Sequence, residues 1–194
     1  MKDKFDRTAL IGTSADPPTC GHESLFVELT KIFPKVITWA SDNPNKSHHI
    51  CLEKRHKLLE ALVESINSPR FILEQEISSP LTINTIEKAK SKWPKSRFTF
   101  VIGSDLNHEI LHWHQIRNIV KEVRIAIAPR VGWPIKEIDI NALIYIGAKV
   151  DILPVKIEKA ASSEIRVSKE TSMIPNSILD ILLDKNLYGI NQKQ

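Results

Sequence analysis

The sequence of 194 residues has few of the features that mark secreted or membrane-spanning proteins. It contains only two cysteines, Cys20 and Cys51, and they form no CxxC pair, so no disulfide framework is expected. Its longest apolar runs are far shorter than a membrane span, and the polar residues 1–6 are followed by no signal-like apolar segment. We therefore expect a cytoplasmic protein that has no contact with a membrane.

A strong excess of one charge is also missing. The formal net charge is +4, from 27 Lys and Arg against 23 Asp and Glu, and the basic residues are dispersed along the chain. Such a small surplus suits a polyphosphate ligand and does not indicate a nucleic-acid-binding stripe. The hydrophobic share of 42% and the charged share of 26% are ordinary for a globular protein. We expect a single domain over residues 1–194, and its oligomeric state, homo-oligomer included, stays open.

Several well-known ligand motifs are absent as well. The sequence has neither a Walker A lysine motif nor GxGxxG, which argues against a P-loop enzyme and against an ordinary dinucleotide-binding domain. His108, His112 and His114 are close in sequence, but no HExxH pattern or nearby cysteine accompanies them. We therefore interpret them as surface or cleft histidines and expect no residue to bind a metal directly. The pair His48 and His49 is interpreted as part of a loop.

Short apolar runs alternate with stretches of helical periodicity along the chain. Strands are predicted at 8–12, 36–40, 71–73, 98–102, 123–128 and 149–154, and helices at 21–33, 52–66, 82–93 and 178–183. Thr82 is the expected N-cap of the third of these helices. This alternation predicts an α/β protein with a Rossmann-like, doubly wound parallel sheet. The polar loops that follow the strands should converge on one cleft outside their carboxyl ends.

The most informative loop follows the first predicted strand, over residues 12–22. A glycine at the strand end permits close approach of a ligand, and the next two residues offer hydroxyl and amide donors. A helix then begins at Gly21, and its free amides and positive dipole end favour an anion. The His22 imidazole and the Thr19 hydroxyl are placed to reach phosphate oxygens. The candidate residues here are Gly12, Thr13, Ser14, Thr19, Gly21 and His22.

This loop resembles that of the nucleotidyltransferase superfamily with the (His/Thr)-x-Gly-His signature. It is most similar to the loop of the bacterial nicotinate-mononucleotide adenylyltransferases, Gly-Gly-Thr-Phe-Asp-Pro-x-His-x-Gly-His. Gly12, Asp16, Pro17, Gly21 and His22 match this pattern. Three positions depart from it, because Thr13 replaces the second glycine, Ala15 the aromatic residue and Thr19 the first histidine.

Further segments resemble the same family in the same order. They are Asn43-Pro44-Asn45-Lys46, a threonine at Thr85, Gly103-Ser104-Asp105, Trp113, Arg130-Val131-Gly132, Ser162-Ser163-Glu164-Ile165-Arg166 and the tail that ends in Leu187-Tyr188-Gly189. The resemblance implies that His22 and Thr19 are catalytic. It assigns to ATP binding Gly12, Thr13, Ser14, Gly21, His22, Gly103, Asp105, Ser162, Ser163 and Arg166. It assigns to mononucleotide binding Asp16, Asn43, Lys46, Thr85, Trp113 and Arg130, with Trp113 stacked on the pyridine ring.

The activity that the resemblance implies is transfer of AMP from ATP to nicotinate mononucleotide, with release of pyrophosphate. Mg²⁺ is the expected cofactor, and it should be chelated by the phosphates of the substrate. Two alternatives stay open at this point. One is another adenylyltransferase of the superfamily, which would accept nicotinamide mononucleotide or a phosphopantetheine. The other is a nucleotide-binding regulator without catalytic activity.

Overall fold

A six-stranded parallel sheet organises the chain in the computed structural model, which describes residues 7–44, 46–155, 157 and 160–190. The strands are β1 (Thr8–Thr13), β2 (Lys35–Ala40), β3 (Phe71–Leu73), β4 (Phe98–Gly103), β5 (Arg124–Ala128) and β6 (Val150–Ile152). Their spatial order is β3-β2-β1-β4-β5-β6, and every neighbouring pair is parallel. This order confirms the predicted Rossmann-like α/β fold. It places the switch point of the strand order between β1 and β4, where such sheets bind ligands.

In the described residues, seven α-helices connect or follow the strands. They are α1 (Cys20–Ile32), α2 (Leu52–Ile66), α3 (Thr82–Lys92), α4 (Ile116–Glu122), α5 (Glu137–Tyr145), α6 (Ser162–Ser168) and α7 (Asn176–Asp184). Short 3-10 turns lie at Gln75–Ile77, Ser104–Leu106, Glu109–His112 and Leu187–Gly189. Within the described part of the chain, no helix has the length and apolarity that crossing a membrane requires.

The two faces of the sheet bury separate hydrophobic cores. Ala9 and Ile11 of β1 pack on the face covered by α1 and α2, whereas Leu10 between them packs on the other face with residues of α3 and α4. Because successive side chains of a strand point to opposite faces, each central strand must be apolar throughout. This is the reason why the strands read as short continuous apolar runs in the sequence.

Most predicted elements lie within two residues of their observed bounds, and the differences have identifiable causes. Thr82 is the first helical residue of α3 and not its N-cap, which is Leu81 without a side-chain cap. Helices α4 and α5 were not predicted, and for α6 only a helix start at the Ser162-Ser163 segment was expected. Helix α4 has only seven residues, and α5 leaves Ile138 and Ile144 73% and 54% exposed, so its apolar residues do not follow one buried face.

Candidate active site

Helix α1 begins with a capping box formed by Thr19 and His22. Thr19 is the N-cap, and its Oγ1 accepts a hydrogen bond from the backbone N–H of His22. In return, the Thr19 backbone N–H donates to His22 Nδ1 at 3.1 Å, and the Thr19 hydroxyl lies 2.8 Å from the same nitrogen. Since Nδ1 accepts a backbone hydrogen bond, the neutral ring carries its proton on Nε2. Thr19, which is fully buried, therefore orients the His22 ring.

His22 is uncharged at neutral pH. Its pKa is lowered from 6.5 to about 4, first because the half-buried ring is desolvated and then because of the positive charge of Arg130, while Asp105 acts in the opposite direction. The ring therefore offers a single N–H donor, at Nε2, without adding a positive charge. A neutral donor of this kind can bind a phosphoryl oxygen without a change of protonation state.

One cavity of about 870 Å³ lies at the carboxyl ends of the central strands. Its volume is within the range of roughly 300–1,000 Å³ that is usual for small-molecule sites. Every residue that the sequence predicted for substrate binding or catalysis lines this cavity: Gly12, Thr13, Ser14, Asp16, Thr19, Gly21, His22, Asn43, Lys46, Thr85, Gly103, Asp105, Trp113, Arg130, Ser162, Ser163 and Arg166. The fold therefore brings the predicted set together, and their individual roles stay predictions.

The loops after β4 and β5 are joined by polar contacts at the cavity wall. Arg130 Nη1 donates to Asp105 Oδ2 at 3.0 Å. The Ser104 hydroxyl accepts from the Arg130 backbone N–H at 2.9 Å and donates to the Trp133 carbonyl at 2.7 Å. Gly103 leaves room for the Asp105 carboxylate in this position, because a Cβ on residue 103 would lie 2.3 Å from Asp105 Oδ1. The two residues predicted for different substrates, Asp105 and Arg130, thus form one ion pair.

Helix α6 is attached to the loop that follows β1. The Ser162 hydroxyl donates to the Pro17 carbonyl at 2.8 Å, and Arg166 Nη1 donates to the Asp16 carbonyl at 2.6 Å. Ser163 is exposed at the start of the same helix. These contacts hold Ser162 and Arg166 against the loop that leads into α1, whose N-terminal backbone amides favour anions.

Asp16 is buried, and both of its carboxylate oxygens accept hydrogen bonds from the protein. Oδ1 accepts from the Tyr188 hydroxyl at 2.7 Å and Oδ2 from the His49 backbone N–H at 2.9 Å. The predicted contact of Asp16 with the mononucleotide would have to use the acceptor positions that these bonds leave open. The structure shows that the carboxylate connects three segments of the chain.

The remaining predicted residues come from three other segments of the cavity wall. Asn43 and the exposed Lys46 belong to the loop after β2, and Thr85 is buried in the second turn of α3. Trp113 is half-buried and packs edge-on against Phe100, with ring centroids 5.8 Å apart and an interplanar angle of 84°. The indole therefore has a fixed orientation at the cavity wall.

Comparison with known proteins identifies the family. Residues 10–168 match the family model described as cytidylyltransferase-like, which is well over half of the 194 residues. The chain belongs to the cytidylyltransferase-like family. Two curated relatives are named probable nicotinate-nucleotide adenylyltransferases. The protein of Synechocystis is 27% identical over 94% of this chain and 98% of its own length, and the protein of Leptospira interrogans is 28% identical over 94% and 96%.

Solved structures share the fold of this cytidylyltransferase-like chain. The nicotinic acid mononucleotide adenylyltransferase of Plasmodium falciparum complexed with NaAD superimposes with a TM-score of 0.77 at 21% identity, over 97% of this chain and all of that one. The same enzyme complexed with APC gives a TM-score of 0.74 at 19% identity, with the same coverage. These values support the observed fold.

Two residues that the sequence analysis did not single out also shape the site. Trp39 of β2 is 3% exposed and lines the cavity beside Gly12. A Cβ on Gly12 would lie 2.8 Å from the indole, so Trp39 fills the space that this glycine leaves. Gly12 pairs with Trp39 across the two strands. The sequence analysis gave close approach of a ligand as the reason for glycine at this position, and packing against Trp39 is a second reason that the sequence did not suggest.

The second such residue is Arg55 of α2, which is 1% exposed. Its Nη1 donates to the carbonyls of Ser14 and Ser41 at 2.8 and 2.7 Å, and Nη2 lies 3.8 Å from Asp42. Arg55 thus joins the loops after β1 and β2. A single arginine in a charged helical stretch gives no sequence signal for this, because most arginines are exposed.

Proposed function

We propose that this chain, acting as a single domain over residues 1–194, transfers AMP from ATP to nicotinate mononucleotide. The products are nicotinate adenine dinucleotide and pyrophosphate, so the reaction belongs to NAD biosynthesis. The names of the Synechocystis and Leptospira relatives support this activity, and so does the NaAD complex of the structural neighbour. The chain is on this basis a nucleotidyltransferase enzyme.

The observation that carries the proposal is the state of His22. The Thr19 N–H fixes Nδ1 as an acceptor, so the neutral ring donates from Nε2 at the N-terminus of α1. When the mononucleotide phosphate attacks the α-phosphorus of ATP in line, negative charge is spread over the phosphoryl oxygens. A fixed neutral donor beside helix amides stabilises this charge, and no covalent intermediate is needed.

The other residues would hold the substrates on either side of this point. Arg166, Ser162 and Ser163 would bind the β- and γ-phosphates, and Asp105 would accept from the ribose hydroxyls of ATP. Lys46 and Asn43 would bind the mononucleotide phosphate, with the pyridine ring against Trp113 and its carboxylate near Thr85. These roles rest on the positions of the residues around one cavity.

Mg²⁺ would enter this site as the chelate of ATP. Among residues 7–44, 46–155, 157 and 160–190, no three His, Cys, Asp or Glu side chains form a group that could hold a metal. The donor set therefore suits an ion that is bound by phosphate oxygens and water. The ion would supply charge neutralisation at the pyrophosphate leaving group, and Arg166 would act beside it.

The direct test is pyrophosphate release from ATP and Mg²⁺, with nicotinate and nicotinamide mononucleotides offered in parallel. A much larger kcat/KM with nicotinate mononucleotide is the expected result. A preference for nicotinamide mononucleotide would move the substrate assignment within the family. Turnover only with a phosphopantetheine acceptor, or none with any acceptor, would refute the proposal in favour of the two alternatives.

Replacement of His22 by alanine tests the mechanism. Loss of one preorganised donor to a developing negative charge typically lowers kcat by about 10²–10³-fold, and we expect a loss of this size for His22→Ala. The melting temperature should change little by comparison. His108→Ala is the matched control, because His108 is exposed and does not line the cavity. Wild-type turnover by His22→Ala would show that the ring has no such role.

A further inference from the structure

The C-terminal segment returns to the loop that follows β1. Tyr188, in the last 3-10 turn, is 9% exposed, and its hydroxyl donates to Asp16 Oδ1 at 2.7 Å across 172 residues of sequence. Its backbone has a φ of 60°, a left-handed conformation that non-glycine residues rarely adopt. A buried hydrogen bond over such a distance in sequence ties the end of the chain to the beginning of the site.

Asp16 is also hydrogen-bonded to both of the regions that would bind the substrates. Its Oδ2 accepts from the backbone N–H of His49, at the end of the loop that carries Asn43 and Lys46. Its carbonyl accepts from Arg166 of α6, on the side proposed for the ATP phosphates. Asp16 therefore contacts both of the segments that would hold the two substrates.

The electrostatics explain why a hydroxyl is suited to this place. A carboxylate at the edge of an anion-binding cavity repels phosphate unless its charge is satisfied by donors. Burial, followed by the hydrogen bond and charge of Asp16, raises the pKa of the Tyr188 hydroxyl far above its usual value. The hydroxyl therefore stays protonated and donates to Asp16 throughout the neutral range, without bringing a further charge.

We propose that Tyr188 is a positioning residue of the enzyme, which acts through Asp16 to hold the mononucleotide loop and the ATP phosphate residues in register. This inference rests on the proposed function. Tyr188 does not line the cavity, so it reaches no substrate itself. Its effect must pass through the position of Asp16.

The expected kinetic result follows from the geometry. Each substrate is held by several residues that do not contact Tyr188, so its binding alone should be little affected. In-line transfer, however, requires that the two substrates be aligned with each other, and small misplacements reduce the rate strongly. Tyr188→Phe should therefore lower kcat about tenfold, whereas the KM for each substrate should change by less than about threefold.

The experiment measures kcat and both KM values for the wild type, Tyr188→Phe and Tyr145→Phe. Tyr145 is the other tyrosine of the chain and is 86% exposed on α5, so its variant should match the wild type. Wild-type turnover with nicotinate mononucleotide reports on the proposed function. The ratio of kcat in Tyr188→Phe to kcat in the wild type reports on the role of Tyr188. The proposed function and the role of Tyr188 can therefore be refuted independently.

A double-mutant cycle with Asp16→Ala separates positioning through Asp16 from a general structural role. If Tyr188 acts through Asp16, Tyr188→Phe should have no further effect on kcat in the Asp16→Ala background. Additive losses, an unchanged kcat in Tyr188→Phe, or a change confined to KM would each overturn the inference. If Asp16→Ala does not fold, Asp16→Asn takes its place, and the comparison of the two tyrosine variants decides without the cycle.

Discussion

Arg55 offers the sharpest test of how this site is held together. Its guanidinium is fully buried and donates to the carbonyls of Ser14 and Ser41, which belong to two different loops of the cavity. Arg55→Met keeps most of the side-chain volume and removes both donors. The two carbonyls then lose their charged partner, and the loops after β1 and β2 lose their connection.

The magnitude can be worked out from these contacts. Hydrogen bonds from a charged donor contribute about 1.5–3 kcal/mol each, and part of this is offset because a buried guanidinium is costly to desolvate. A net loss of about 2–4 kcal/mol in the free energy of unfolding is therefore expected. For a chain of this size, 1 kcal/mol corresponds to roughly 2–4 °C, so the melting temperature should fall by about 5–15 °C.

Thermal and urea denaturation measure this loss, and kcat/KM well below the melting temperature measures its effect on the site. Lys57→Met is the matched control. Lys57 lies on the same helix but is exposed, and its ion pair with Glu53 at 2.8 Å is a surface contact, so its removal should change the midpoint little. Arg55→Lys should not fully restore stability, because Nη1 binds both carbonyls and the ammonium of the shorter lysine side chain ends short of the position of that atom. If Arg55→Met were no less stable than Lys57→Met, the role of Arg55 in joining the loops would be refuted.

Three further predictions concern the cavity. The pKa of His22 is lower in the folded state than in the unfolded state, so acid protonates the unfolded state first. The free energy of unfolding should therefore be highest above pH 6.5 and fall by up to about 2–3 kcal/mol as the pH falls toward about 4. The unfolding of His22→Gln should lack this pH dependence. Gly12→Ala should destabilise by about 1–3 kcal/mol through its clash with the indole, and Trp39→Phe in the same chain should recover part of the loss in a denaturation assay. Trp113→Ala should raise the KM for the mononucleotide about 5–50-fold and leave that for ATP unchanged, whereas Trp93→Ala, outside the cavity, should alter neither.

The sequence was sufficient for the fold because the central strands are buried on both faces. Continuous apolar runs such as residues 98–102 have few other interpretations when amphipathic helices alternate with them. The loops that follow β1, β2, β4 and β5 could then be assigned to one cleft from the general geometry of parallel sheets. The structure confirms the doubly wound sheet and places the predicted site residues around one cavity.

What the sequence could not predict are contacts between residues that lie far apart in the chain. The pairs Asp16–Tyr188 and Arg55–Ser14 are separated by 172 and 41 residues, and no local pattern specifies which buried polar groups meet. The contact of Gly12 with Trp39 depends on the register of two strands, which is decided by packing on both faces together. These contacts depend on how the helices and strands pack together, which no single segment of the sequence specifies.

The three departures from the family loop also acquire physical explanations. The Thr13 hydroxyl accepts a hydrogen bond from the Ala15 backbone N–H at 3.2 Å, so a side chain at this position supports the turn that a second glycine would leave free. Ala15 is 1% exposed and has a φ of 48°, where a small side chain fits a tight, left-handed turn. Thr19 caps α1 and turns Nδ1 of His22 into an acceptor. The loop can therefore differ from the family pattern at three positions and still present a neutral Nε2–H donor, because the hydrogen bond that makes Nδ1 an acceptor comes from the backbone N–H of Thr19.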